Sequence, residues 1–263
     1  MGASKLTFSV FTKPWKMPLP ELGRLVKDLG FDGIELPVRP VFQVEPENAA
    51  VGIPAAARVL GDCGVKICSI AGPADEQTVA ACAKAGIPII RIGVSIERDI
   101  GYMATEAKAQ KEFDRMIPML ERYHVTLGIQ NHCDRFVCNA MGLRHLIERY
   151  DPKHIAAVWD PAHCGLNGEL PELAADILWP HLCMVNLKNA YWLRTNGPEA
   201  EAAQWRSFWT TGRHGLASWP AVASELKKRN YAGVLCLCAE YTDHAAVNRL
   251  IADDLAYAES LFA

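Results

Sequence analysis

Polar side chains that could carry chemistry follow short apolar segments in the second half of the sequence. The apolar run from Ile155 to Trp159 ends in Asp160-Pro161, and His163 follows three residues after the carboxylate. Because proline cannot donate to a sheet ladder, a strand must end there. Ligands bind at the carboxyl ends of strands in parallel α/β folds. Asp160 and His163 are therefore candidate site residues, although Asp160 could instead cap a helix and His163 could be an ordinary loop histidine.

Three further predicted strands, at 125–129, 182–187 and 233–239, end in the same way. The polar residues at their ends are Gln130, His132, Asn186, Lys188 and Glu240. Side chains two apart on a strand share a face, and buried polar groups are costly unless a ligand, a metal or one another satisfies them. Each also has a structural explanation: the amides could be satisfied in the core, Glu240 could cap a helix, and Lys188 could reach solvent.

These segments belong to a regular alternation of β-branched runs and amphipathic stretches. The first four predicted strands are Leu6 to Val10, a strand ending near Glu35, Val65 to Ile70, and Ile87 to Val94. Eight strand–helix units at intervals of about 30 residues are typical of a barrel. No strand is followed by the glycine-rich turn of a doubly wound sheet. We therefore predict an α/β fold, a single (β/α)₈ TIM barrel with residues 1–263 as one domain.

Residues in the first half and in one long connection are further candidates for substrate contacts. Glu35 and Arg91 lie at predicted strand ends; Arg91 could bind an oxygen-rich ligand, or it could form a salt bridge with Glu35. The stretch 190–215 has no clear periodicity and carries several aromatic residues and Arg213. We expect a lid there, in which aromatic side chains stack on a sugar face; the candidates are Tyr191, Trp192, Trp205 and Trp209. Alternatively, Trp205 and Trp209 could form one side of a small packing helix.

The chain resembles the sugar phosphate isomerase/epimerase family, whose members have the xylose isomerase-like barrel. The resemblance covers nearly the whole sequence, and its most specific pieces are Gly128-Ile-Gln-Asn-His, Trp159-Asp-Pro-Ala-His, Val185-Asn-Leu-Lys-Asn and the final Glu240. It implies a divalent metal held at the ends of strands 5 to 8 by Glu, Asp, His and Glu. The matching positions here are Gln130, Asp160, Asn186 and Glu240, so two ligands match and two differ.

The two differences predict an altered metal preference and altered proton chemistry. The set carries two negative charges and only oxygen ligands, which suit hard cations, whereas the imidazole that zinc favours is lost. We expect Mn²⁺ or Mg²⁺ rather than Zn²⁺, bound weakly or not at all, unless His132 or His163 contributes. Because Gln130 cannot act as a base, we expect Glu240 as the base, Lys188 as electrophile or acid, and His132 or His163 as a second proton carrier.

The composition restricts the partners and the compartment. The 263 residues include 27 basic and 30 acidic side chains, a formal net charge of −3, without a run of one sign. This balance argues against nucleic acid or an anionic membrane as a partner. Nine cysteines, most of them in apolar patterns, indicate reduced thiols. With no signal-peptide segment at the start, we expect a soluble cytoplasmic protein, with homo-oligomerisation open.

The predicted activity is isomerisation or epimerisation of a sugar, sugar phosphate or keto-sugar by proton abstraction next to a carbonyl. A lyase or dehydratase acting on a keto-sugar or keto-cyclitol is the alternative among enzymes, because it needs only one base and one acid. A non-catalytic sugar-binding barrel is the alternative from another class, since fold does not imply activity. An apurinic-site endonuclease shares the fold, but it would require a basic groove that the charge balance does not favour.

Overall fold

Eight parallel strands close into a barrel in the computed structural model, which describes residues 6–263. The barrel strands are Thr7–Phe11 (β1), Gly33–Pro37 (β2), Lys66–Ala71 (β3), Ile89–Gly93 (β4), Thr126–Gln130 (β5), Ile155–Trp159 (β6), Leu182–Leu187 (β7) and, after the hairpin Asn189–Arg194 (β8) and Trp205–Thr210 (β9), Val234–Cys238 (β10). Neighbours along the chain are neighbours in the barrel, and β10 closes it by pairing with β1. The predicted (β/α)₈ TIM barrel is confirmed.

Helices surround this barrel, and all of them except the short one at Pro161–Leu166 lie where the sequence alternates into amphipathic stretches. They are Leu19–Asp28 (α1), Ala49–Asp62 (α2), Glu76–Lys84 (α3), Gly101–Tyr123 (α4), Ala140–Ile147 (α5), Pro161–Leu166 (α6), Pro171–Leu178 (α7), Trp219–Lys228 (α8) and Val247–Phe262 (α9), with 3-10 turns at Pro46–Asn48, Trp179–His181 and His244–Ala246. The short α6 begins immediately after Asp160. The Asp160 carboxylate accepts hydrogen bonds from the backbone amides of Ala162 and His163 and so caps this helix.

Alternation along the strands divides the core and places the polar residues. Outward-facing aliphatic side chains pack under the helices, while a small inner cluster fills the barrel: Phe11, Ala71, Ile89, Val158, Met184, Cys236 and Cys238. Each of four polar residues lies two positions after a residue of this inner cluster: Arg91 after Ile89, Asp160 after Val158, Asn186 after Met184 and Glu240 after Cys238. Because strand side chains alternate with a period of two, these four continue the inner face at the carboxyl end. The inner core therefore ends in a polar layer at one barrel mouth.

Gly128 shows how tightly the inner layer is packed next to that mouth. It lies two residues before Gln130 on β5, and a Cβ atom there would come within 2.6 Å of Val158 Cγ2. That separation is shorter than van der Waals contact. Glycine at this position lets β5 and β6 keep their register, with Gln130 paired to Val158.

The prediction of an irregular stretch at 190–215 is wrong in part. β8 and β9 form an antiparallel hairpin in which Asn189 pairs with Thr210 and Trp192 with Ser207. Trp205 and Trp209 are thus on a strand and not on a packing helix, and their spacing of four puts them on one face. Only Lys188 separates the hairpin from β7, so the hairpin begins at the barrel mouth.

Two observations bear on the surroundings of the chain. All nine cysteines are free thiols. Among the helices described between residues 6 and 263, none is both long and apolar enough to cross a membrane. The expectation about the start of the chain concerns residues 1–5, which lie outside the described residues.

Candidate active site

A buried ion pair forms one side of the barrel mouth. Arg91 donates to Glu35 through Nε at 2.8 Å and through a terminal nitrogen at 2.6 Å, and Ser69 donates to the same carboxylate. Glu35 is fully buried and Arg91 nearly so. Burial alone would lower the pKa of Arg91, but the Glu35 charge and hydrogen bonds raise it. The salt bridge considered for Arg91 is therefore present, and Arg91 is neutralised.

Gln130 links this ion pair to Asp160. Its amide oxygen accepts from Arg91, and its amide nitrogen donates to Asp160 Oδ2 at 2.7 Å. Asn131 holds the Asp160 backbone from both sides, accepting from its N–H at 2.8 Å and donating to its carbonyl at 2.9 Å. The ends of β5 and β6 are locked together, and the Asp160 carboxylate is fixed in direction.

Lys188 lies between the two carboxylates of the site. Its Nζ is 3.5 Å from Asp160 Oδ2 and 3.3 Å from Glu240 Oε2, and only 6% of its side chain is exposed. The alternative in which Lys188 reaches solvent is therefore wrong. Burial alone would lower the pKa of Lys188, but the carboxylates of Asp160 and Glu240 raise it. The Lys188 ammonium is therefore charged and interacts with both carboxylates.

Glu240 is the most accessible carboxylate of the cluster. Its second oxygen pairs with Lys13, which follows β1, and its side chain is 23% exposed. Burial acts to raise the pKa of Glu240, but Lys188 and Lys13 together lower it well below its usual range. Glu240 is thus ionised and can accept a proton, although two ammonium groups weaken it as a base.

His132 and His163 stack on one another beside Asp160. Their ring centroids are 4.0 Å apart, and His132 Nδ1 lies 2.9 Å from the Cys133 carbonyl oxygen. Both nitrogens of the fully buried His163 lack a hydrogen-bond partner among residues 6–263; its Nε2 is 3.5 Å from Asp160 Oδ2. Burial lowers the pKa of both rings, so both are neutral. His163 therefore has two open hydrogen-bonding positions at the site.

The imidazoles and the Cys133 thiol form a possible metal-binding cluster. Ligand atoms of His132, Cys133 and His163 all lie within 4.8 Å of one another. Burial raises the pKa of the Cys133 thiol to about 12, so a metal would have to displace its proton. Nitrogen and sulfur donors suit softer cations than the oxygen-only set does.

Most donors of the metal-ligand set implied by the resemblance are already engaged. Gln130 accepts from Arg91, Asp160 from Gln130, and Glu240 has an ammonium at each oxygen. Only the fully buried amide of Asn186 has no partner at either atom within the described residues. Lys188 and Lys13 balance the two negative charges, so a dication would add uncompensated positive charge to a buried site. In this arrangement the four residues do not fit a divalent metal.

Two of the expected substrate contacts lie elsewhere. The Trp192 indole donates to the Leu166 carbonyl at 2.8 Å, and the side chain is 40% exposed. The guanidinium of Arg213 stacks on Tyr257 of α9 at 3.7 Å. Neither contacts the cluster around Lys188 in the described chain. Their roles in substrate binding remain predictions.

Two other residues contact the site: Trp209, one of the aromatic residues of the expected lid, and Arg39, which is outside the expected set. The Trp209 ring covers the Lys188 ammonium at 4.6 Å and meets His163 edge to face. The guanidinium carbons of Arg39 and Arg91 both lie over the Phe11 ring, 5.6 and 4.8 Å from its centroid. Arg39 follows Glu35 by four positions, so the alternation rule applied beyond the end of β2 would have found it. The sequence does not indicate which aromatic residue of the lid reaches the site, because that depends on the pairing of the hairpin.

Comparison with known proteins identifies the same architecture. The xylose isomerase-like TIM-barrel profile matches residues 24–261. Similar solved structures include 3-keto-D-glucoside 4-epimerase YcjR from E. coli (TM-score 0.73, 15% identity, 97% of this chain and 100% of that chain). L-ribulose 3-epimerase gives a TM-score of 0.73 with 15% identity over 98% and 94% of the two chains. A probable 3-DHS dehydratase from Bacillus anthracis gives 0.69 with 16% identity over 95% and 97%. No curated protein sequence matches.

Proposed function

The chain belongs to the xylose isomerase-like TIM-barrel family, and we propose that it isomerises or epimerises a sugar or keto-sugar by abstracting a proton next to a carbonyl. One observation carries the proposal: a charged carboxylate, Glu240, and a charged ammonium, Lys188, lie 3.3 Å apart at the barrel mouth. Proton abstraction next to a carbonyl requires a base and a group that stabilises the oxyanion, and this pair supplies both.

The first step transfers a proton from substrate carbon to Glu240. The electron pair of the broken C–H bond moves onto the carbonyl oxygen, and Lys188 stabilises the resulting enolate. When a substrate oxygen engages Lys188, the ammonium interacts less with Glu240, whose basicity then rises. This sequence couples substrate binding to activation of the base.

The second step returns a proton to carbon. His132 is neutral and hydrogen-bonds through Nδ1. Because the Cys133 carbonyl can only accept, the ring proton is on Nδ1, and the free Nε2 can take a proton from a substrate hydroxyl or from solvent. The imidazolium so formed delivers that proton to the opposite face of the enolate, and Glu240 releases the abstracted proton to solvent. Reprotonation of the same carbon from the opposite face gives an epimer, and reprotonation of the neighbouring carbon gives an isomer. The buried ring nitrogens of His163 have no partner among the described residues, and a substrate hydroxyl that displaces the neighbouring side chains can hydrogen-bond to them.

The proposal extends to the partner and the surroundings of the enzyme. A small carbohydrate is the proposed substrate, and a reducing cytoplasmic location is supported by nine free thiols. Any divalent cation that entered the oxygen-only quartet would have to move Lys188, and Mn²⁺ or Mg²⁺ would be preferred over Zn²⁺ there. Homo-oligomerisation and the lack of a nucleic-acid partner remain predictions.

Product analysis tests the activity directly. Purified protein is incubated with a panel of ketopentoses, ketohexoses, their phosphates and 3-keto-glycosides, and the products are identified by NMR. We expect one substrate to equilibrate with its epimer or isomer, and Lys188→Met to reduce its turnover by about 100-fold or more.

Lys108→Met is the matched control, because Lys108 forms an exposed ion pair with Glu97 on the surface; it should leave turnover unchanged. Loss of water from a keto-substrate would identify the dehydratase alternative. A folded protein that binds a sugar of the panel without converting it would support the non-catalytic barrel and contradict the proposal.

A further inference from the structure

We infer that the Lys188 ammonium takes the place of the divalent cation implied by the fold family, so that proton abstraction in this barrel is metal-independent. The inference rests on the proposed function for its chemistry. Its evidence is separate, namely the distances, burial and charge around one nitrogen atom.

The position of Lys188 Nζ is the first part of the argument. A cation held by the ends of β6 and β10 must lie between Asp160 and Glu240, and Nζ bridges these two carboxylates at 3.5 and 3.3 Å. The side chain is 6% exposed, and Trp209 covers its charged end. The site between the carboxylates therefore already contains a positive charge.

The charge balance is the second part. Asp160 and Glu240 contribute two negative charges, and Lys188 and Lys13 contribute two positive charges in contact with them. Glu35 and Arg91 neutralise each other. A divalent cation added here would leave a surplus of two positive charges in a poorly hydrated site, which is strongly unfavourable. With Lys188 as the cation, these six side chains have no net charge, and Arg39 over Phe11 adds one more positive charge, which further disfavours a dication.

The two neutral amides are the third part. At the position of the implied glutamate, Gln130 uses its nitrogen as a donor to Asp160, which a carboxylate could not do. At the position of the implied histidine, the Asn186 amide has no partner among the described residues. Each change removes a strong metal ligand, and the total ligand charge falls to −2, which Lys188 and Lys13 together balance.

Mn²⁺ binding tests the inference independently of any substrate. Mn²⁺ is the probe because it prefers oxygen donors and not the thiol of the nearby His132–Cys133–His163 cluster. Equilibrium dialysis and electron paramagnetic resonance should show no stoichiometric Mn²⁺ on the wild-type protein, and a chelator should change neither its melting temperature nor its turnover. One tightly held equivalent that Glu240→Gln abolishes would overturn the inference.

A pair of designed variants tests Lys188 itself. Gln130→Glu with Asn186→His restores the implied ligands while Lys188 remains, and addition of Lys188→Met removes the competing charge. We expect the triple variant to bind Mn²⁺ at least about tenfold more tightly than the double variant. Equal affinities would show that Lys188 does not exclude the metal.

Failure of this inference and failure of the proposed function are distinguishable. A wild-type enzyme that converts a sugar but loses all activity on metal removal would keep the function and refute the role assigned to Lys188. If the redesigned variants do not fold, the chelation and dialysis measurements on the wild-type protein still decide the question.

Discussion

Arg91 and Glu35 form a deeply buried ion pair at the barrel mouth, with side chains 9% and 0% exposed. We predict that Arg91→Met lowers the free energy of unfolding by about 3 to 5 kcal/mol, because the Glu35 carboxylate is left buried without its partner. Urea denaturation measures the change. Arg149→Met is the matched control, since Arg149 pairs with Asp114 at the surface; its cost should stay below about 1 kcal/mol. Equal costs would contradict the structural role of the buried pair.

His163 has two ring nitrogens without a partner among the described residues, and burial lowers its pKa so far that the ring is neutral at neutral pH. We predict that His163→Asn raises KM more than it lowers kcat, because hydrogen bonds to the substrate are lost while Glu240 and Lys188 remain. Steady-state kinetics on the substrate found in the panel checks this split. His145→Asn, at an exposed histidine bonded to Glu106, should change neither constant. A fall in kcat alone would instead assign His163 to proton transfer.

At the scale of elements, the hairpin of β8 and β9 brings one aromatic ring over the site. Trp209 contacts Lys188 and His163, whereas Trp205, at the far end of the same strand, is 58% exposed. We predict that Trp209→Ala reduces kcat/KM by about tenfold, because water gains access to the ammonium and the enolate is less well stabilised. Trp205→Ala should have little effect. The hairpin would have no role in the site if both variants were equally active.

Asp254 ties the base of the hairpin to α9. Its oxygens accept from the Gly212 amide and the Tyr241 hydroxyl, both at 2.8 Å. Burial raises the pKa of Asp254 from 3.8 to about 6. The folded protein therefore binds this proton more tightly than the unfolded chain. The resulting stability is complete below about pH 4 and is lost as the pH rises through about 6.

The corresponding variant should remove this pH dependence. For Asp254→Asn we expect the wild-type loss of about 3 kcal/mol between pH 4 and pH 7 to disappear from the free energy of unfolding. Asp253→Asn, at a side chain that is 63% exposed, serves as the control and should keep the wild-type profile. An unchanged profile in Asp254→Asn would show that another group titrates.

The sequence predicts the barrel strands well because each is a short apolar run bounded by glycine, proline or a polar residue. The hairpin is different, since its pairing depends on which segment β8 meets across the connection from 195 to 204. Arg213 shows the same limit: its contact with Tyr257 joins residues from distant parts of the chain. Such contacts depend on tertiary packing, which local periodicity does not encode.

At the scale of the whole molecule, closure of the barrel explains which parts of the site were predictable. Parallel strands with a common alternation bring their carboxyl ends to one mouth, so Glu35, Arg91, Gln130 and Asp160 form one hydrogen-bonded chain. The ion pair of Lys13 with Glu240 spans 227 positions and exists only because β1 pairs with β10. The Lys13 ammonium adds a positive charge to the site, and the spacing of the candidate ligands in the sequence does not predict this contact.

Transfer of deuterium from solvent to substrate carbon is the measurement that tests the central claim most directly. The substrate is incubated in D₂O with the wild-type protein and recovered before equilibrium, and NMR locates the label. We predict deuterium at the carbon next to the carbonyl, a rate about 100-fold lower for Glu240→Gln, and an unchanged rate for Glu97→Gln, at a surface carboxylate. Exchange at the wild-type rate in folded Glu240→Gln would contradict the account.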